Sequence, residues 1–131
     1  MPGVRKPTRL KQHGLAIVFA EANHARIHGG LSLACAAAAL GRPVRLFFQG
    51  EAVCALQVGR HWTGDRAYAA SGLATLEAML KQAFGLGIAV MACESGLHLC
   101  GLAPTNVIGG VETGGMVGFL ADAREDELVI A

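Results

Sequence analysis

A chain of 131 residues has the length of one compact domain, which at that size buries roughly two thirds of its unfolded surface, so no second domain is called for. Its 53% apolar and 16% charged residues give more core and less charged surface than an average domain, which points to subunits packing together. A net charge of +1 without a dense Lys/Arg run excludes nucleic acid as the main partner, and the apolar runs 15–20 and 31–40 are far short of the roughly 20 residues of a membrane span.

Arg5, Lys6, Arg9 and Lys11 precede a short apolar run with no A-x-A cleavage site after it, so residues 1–13 read as a solvated basic tail and 14–131 as the folded domain. Gly14–Ala20 (GLAIVFA) is a continuous apolar run, as expected of a strand covered on both faces. Ala25–Leu40, rich in Ala and Leu, predicts a helix that Gly41 and Pro43 end. Pro43–Gln49 (PVRLFFQ) predicts the second strand, and Gly50–Leu56 a short helix. Gln57–Ala70 has no period and predicts a long loop, after which Ser71 is placed as the N-cap of a helix reaching to about Phe84. Gly87–Ala92 is a third buried strand, followed without a spacer by a helix over Cys93–Leu102. A short strand at Val107–Val111, a helix over Thr113–Ala123 and a strand over Glu127–Ala131 complete the chain. Strands alternating with helices predict a three-layer α/β/α domain with a mostly parallel five-stranded, flavodoxin-like sheet.

In such sheets ligands bind beyond the carboxyl ends of the strands, where the strand order reverses. That rule selects Glu21, Asn23 and His24 after strand one, Gln49 and Glu51 after strand two, and Cys93, Glu94 and Ser95 after strand three. Cys93 alone among the cysteines is placed at a strand-to-helix junction, where the helix N-terminus favours the nucleophilic thiolate and Glu94 opposes it. Cys100, seven residues on, lies about 10 Å from Cys93 along a helix and is read as core, as is Cys35; Cys54 is placed near the crevice. Four cysteines in regular apolar segments predict a reducing cytoplasm. His24 and His28 have the spacing of two metal-binding imidazoles, with Glu21 and His98 nearby, but show no evident third ligand, so no metal is assigned. Gly109, Gly110, Gly114 and Gly115 make neither G-x-G-x-x-G nor a P-loop and read as turn glycines. Trp62, beside Arg60, His61 and Arg66, has the composition of an interface anchor.

The stretches LACAAAALGRPVRLFFQGEAV, GIAVMACESGLHLCGL and GGVETGGMVGFL resemble the DsrE/DsrF-like family, which includes subunits of the Tus-type sulfur relay; the likeness is to its uncharacterised, peroxiredoxin-related branch. It runs from Gly14 to the C-terminus. The resemblance implies a doubly wound fold, assembly as trimers or hexamers, and sulfur carried as a persulfide on the cysteine after the third major strand, which is Cys93 here. The expected function is sulfur transfer from a donor protein through Cys93 to a partner thiol, chemistry that calls for no cofactor. The alternative is a non-catalytic oligomeric module that binds a small ligand or serves as a scaffold.

Overall fold

The computed structural model describes residues 13–131, so the tail expected over residues 1–13 lies, except for His13, outside the described residues. Five strands, β1 (Leu15–Phe19), β2 (Val44–Phe48), β3 (Ala89–Cys93), β4 (Glu112–Gly114) and β5 (Glu127–Ile130), form one all-parallel sheet in the order β4-β3-β2-β1-β5. The α-helices are α1 (His24–Ala39), α2 (Thr63–Ala70), α3 (Leu76–Gly85), α4 (Glu94–Cys100) and α5 (Met116–Asp122), with 3-10 turns at Gly50–Leu56 and Pro104–Asn106. The expected α/β layering holds, and no described helix is long and apolar enough to cross a membrane.

All of β1 is buried because helices cover both of its faces. On one face Leu15, Ile17, Phe19, Leu46, Phe48, Val90 and Ala92 pack under α1, α3, α4 and the 50–56 turn. Helix α1 presents Ile27, Leu31, Ala34 and Cys35 at three- and four-residue spacing, one apolar stripe. It lies close to the sheet because residue 30 is glycine: a Cβ there would stand 2.3 Å from the Phe19 ring, which stacks on Phe48.

The opposite face is thinly covered, and topology explains why. The chain steps outward from β1 through β2 and β3 to β4, then returns through α5 to the far side of β1. Right-handed crossovers put helices of the outward run on one face and the returning helix on the other. Among the described residues, only the two-turn α5, through Phe119 and Ala123, closes over Ala16, Val18 and Phe47. Val117 remains 85% exposed and Ile130 72%, beside exposed Leu120 and Leu128.

Several boundaries differ from the sequence expectation, each for a physical reason. The segment expected as a long loop contains α2, none of whose residues is buried, so it carries no apolar period. Ser71 caps the end of α2; the N-cap of α3 is Thr75, whose hydroxyl accepts from the Ala78 N–H at 3.1 Å. Val107–Val111 contributes a single bridge, Val107 with Gln57, while β4 uses the polar and small residues of ETG at a sheet edge. Helix α5 begins at Met116 in place of Thr113, after Gly115 as N-cap.

Candidate functional site

A parallel sheet delivers every strand-to-helix turn to one edge. Phe19 pairs with Phe48 and Phe48 with Ala92, so Ala20, Gln49 and Cys93 follow as a row along that edge, on strands about 5 Å apart. Cys93 ends β3 and is the N-cap of α4, in extended conformation. Its thiol is free and half-buried, against both core clusters near Met91 and Met116. The reversal of strand order falls between β1 and β5, so Glu21, Asn23 and His24 stand beside it, while Cys93 lies two strands away.

The other residues selected from sequence have distinct environments. Glu94 and Ser95 are exposed at the start of α4; Glu94 also lines a groove with Leu97, His98, Leu102, Pro104 and Thr113. Gln49 and Glu51 are exposed around the start of the 50–56 turn, and Gln49 makes no side-chain cap bond. Glu21 is exposed and 3.9 Å from Arg26. Asn23 caps α1, its side-chain oxygen accepting from the Arg26 N–H at 3.0 Å. Among the described residues, no side-chain hydrogen bond or ion pair joins Cys93 to any of them. The turns therefore present a shallow polar edge around one sulfur.

His24 is engaged elsewhere. Its Nε2 lies 2.6 Å from Asp65 Oδ1, and its ring packs so closely on Gly64 that a Cβ there would stand 2.6 Å from the ring carbon. Asp65 also accepts from the Leu76 N–H at 2.7 Å, so one carboxylate pins α2 to the starts of both α1 and α3. Burial, the largest single influence on this carboxyl, disfavours its charge. The Leu76 N–H, His24 and the Glu77 N–H outweigh that and hold its pKa below the ordinary value. His28 Nε2 lies 2.8 Å from the Ala74 carbonyl, and the Tyr68 ring sits edge-on to both imidazoles. The two histidines thus brace α2, and the described residues contain no group of three metal-ligating side chains.

The cysteines require a correction. Cys100, expected as core, forms a disulfide with Cys54, their Cα atoms 5.6 Å apart. Sequence spacing relates Cys100 only to cysteines on its own helix; the partner comes from the 50–56 turn, 46 residues away. The two elements approach across Gly96, where a Cβ would stand 2.3 Å from Val53 Cγ2 and 2.7 Å from the Gly50 carbonyl oxygen. The disulfide joins the turn after β2 to the far end of the helix that Cys93 begins. The expectation of a reducing cytoplasm rested on cysteines lying in regular apolar segments; Cys54 and Cys100 lie in such segments and are nonetheless bonded, so that placement does not mark them as reduced. Cys35 is core as expected, and burial pushes its thiol pKa up. Asp65 was missed from sequence altogether, its only signal being the density of polar and aromatic residues over 57–70.

The DsrE/DsrF-like family model matches residues 13–130. No curated protein matches. Among solved structures, the YchN protein of E. coli is similar with a TM-score of 0.70 at 21% identity, covering 90% of this chain and 99% of that one. MTH1491 of Methanobacterium thermoautotrophicum, a protein of unknown function, is similar with a TM-score of 0.70 at 14% identity, covering 92% and 100%. At these identities the two structures speak for the fold, and the family match, spanning the whole described sheet, shows that the chain belongs to the DsrE/DsrF-like family.

Proposed function

We propose that this protein is a sulfur carrier whose Cys93 accepts sulfane sulfur and passes it to a partner thiol. Family membership fits a sulfur-relay-like role. The observation that carries the assignment to Cys93 is its state: Cys54 and Cys100 are bonded and Cys35 is buried, so Cys93 alone is a free thiol partly open to solvent. In the loading step the Cys93 thiolate attacks the outer sulfur of a donor persulfide, R–S–SH; the new S–S bond forms as the old one breaks, and the donor leaves as RS⁻. In unloading, an acceptor thiolate attacks the outer sulfur of Cys93–S–SH and Cys93 leaves as thiolate. Glu21, Asn23, Gln49, Glu51, Glu94 and Ser95 make the edge that donor and acceptor proteins approach.

Assembly into a trimer or hexamer belongs to the same proposal. The exposed Val117, Leu120, Leu128 and Ile130 favour packing between copies, and gel filtration giving a monomer at micromolar concentration would remove that part. Intact mass after incubation with a sulfane-sulfur donor tests the chemistry. The wild type is expected to gain one reducible sulfur atom and Cys93→Ser none. If neither gains, or both gain equally, Cys93 is no carrier. The small-ligand module is the second reading, favoured by the groove along Glu94 and His98; a ligand seated there would be retained by Cys93→Ser.

A further inference from the structure

A cavity of about 140 Å³ lies between the segment after the 50–56 turn and α3, and Cys93 does not line it. One side is apolar: Ala55 and Leu80 are buried, and the Trp62 ring carries the Arg60 guanidinium stacked 4.3 Å above its centroid. The polar side is Arg60 with exposed Gln57, His61 and Glu77, the last 3.9 Å from Lys81.

Arg60 differs from the other half-buried arginines. Arg42 pairs with Glu127 and Arg45 with Asp126, whereas no carboxylate of the described residues pairs with Arg60, and its Nε is buried without a hydrogen-bond partner. That Nε is closed to water and so to a ligand in the cavity, but the Nη nitrogens of the same guanidinium stay open and have no acceptor among the described residues. The backbone that carries it is fixed: the Val58 N–H donates to the Asn106 carbonyl at 2.8 Å, Gln57 bridges Val107, and Asp65 anchors α2 just beyond. The cavity is therefore a preformed one with an incomplete cation in its wall.

We infer that this cavity is a binding site for a small monocarboxylate, its carboxylate on the Arg60 guanidinium and its aliphatic part against Trp62, Ala55 and Leu80. The planar guanidinium matches a carboxylate in two-point contact. Glu77 in the lining disfavours a second negative charge on the ligand, as in phosphate, and the volume admits only a few heavy atoms. The site is independent of sulfur transfer at Cys93.

Trp62 is the single tryptophan, so its emission reports on the stack directly. The full chain is titrated with sodium propionate, with sodium phosphate and sodium chloride at matched ionic strength. A saturable change is expected with propionate alone, its midpoint raised at least tenfold in Arg60→Gln and unaltered in Cys93→Ser. The inference is overturned if chloride gives the same curve, if phosphate saturates at lower concentration than propionate, or if folded Arg60→Gln keeps the wild-type midpoint. Should Arg60→Gln not fold, the Trp62 indole N–H resonance of the wild type decides: a saturable shift with propionate and none with chloride supports the site, and its absence overturns it.

Discussion

Breaking the Cys54–Cys100 bond should be the most costly change available outside the hydrophobic core. The bond closes a loop of 46 residues, and in the chain-entropy model a loop of that size raises the free energy of the unfolded state by about 4 kcal/mol at 25 °C. A domain of this length gains on the order of 0.3 kcal/mol/K of entropy at its melting midpoint, so the loss corresponds to a fall in Tm of about 14 °C. The assay is thermal unfolding followed by circular dichroism on the oxidised wild type, the wild type with reductant, and Cys54→Ala/Cys100→Ala. Cys93→Ser serves as a control that should melt with the oxidised protein. The reduced wild type and the double variant are expected to fall together. The reasoning is refuted if alkylation of unreduced, denatured protein labels all four cysteines, or if reduction shifts Tm by less than about 3 °C.

Gly96→Ala pits two effects against each other. Alanine gains about 1 kcal/mol inside a helix, but its Cβ would stand 2.3 Å from Val53 Cγ2 and 2.7 Å from the Gly50 carbonyl oxygen, which as backbone cannot turn aside, an overpacking costing about 2–3 kcal/mol. Urea unfolding should show a net loss of about 1–2 kcal/mol, and an equal or higher midpoint would show that α4 does not rest on the turn as described. For Asp65, whose folded pKa lies below the ordinary 3.8, the native state binds fewer protons than the unfolded chain between the two values. Its contribution is complete above the ordinary value and is lost as pH falls through the folded one. The stability gap between wild type and Asp65→Asn, read from urea midpoints, should narrow as pH falls below about 5; a gap that widens over that range contradicts the described contacts.

Strands covered on both faces were the most legible part of the chain. β1 and β2 lie within one residue of the apolar runs that announced them, and α1 begins at His24 and ends at Ala39, close to the Ala-rich segment and its glycine stop. Legibility fails where burial fails. α2 buries nothing, and β4 is three residues of polar or small character on a sheet edge, so neither leaves a hydrophobic period. Cys93 could be located because a strand-to-helix junction is local, being written in consecutive residues. The Cys54–Cys100 bond, the Asp65 anchor and the Arg60–Trp62 stack depend on how distant segments meet, which no spacing along the chain records.

The strand order also settles how the domain would respond to being stretched. β1 and β5 are adjacent and parallel, bonded from the Glu127 N–H on the Gly14 carbonyl to the Ala131 N–H on the Val18 carbonyl. Tension between residues 13 and 131 draws β1 toward its start and β5 toward its end, sliding one strand along the other. In that shear geometry the bonds of the ladder bear the load together, where a peeled hairpin would surrender them one at a time. The same return of the chain that leaves one sheet face thinly covered thus makes the β1–β5 seam a mechanical clamp, with the buried side chains of β1 behind it.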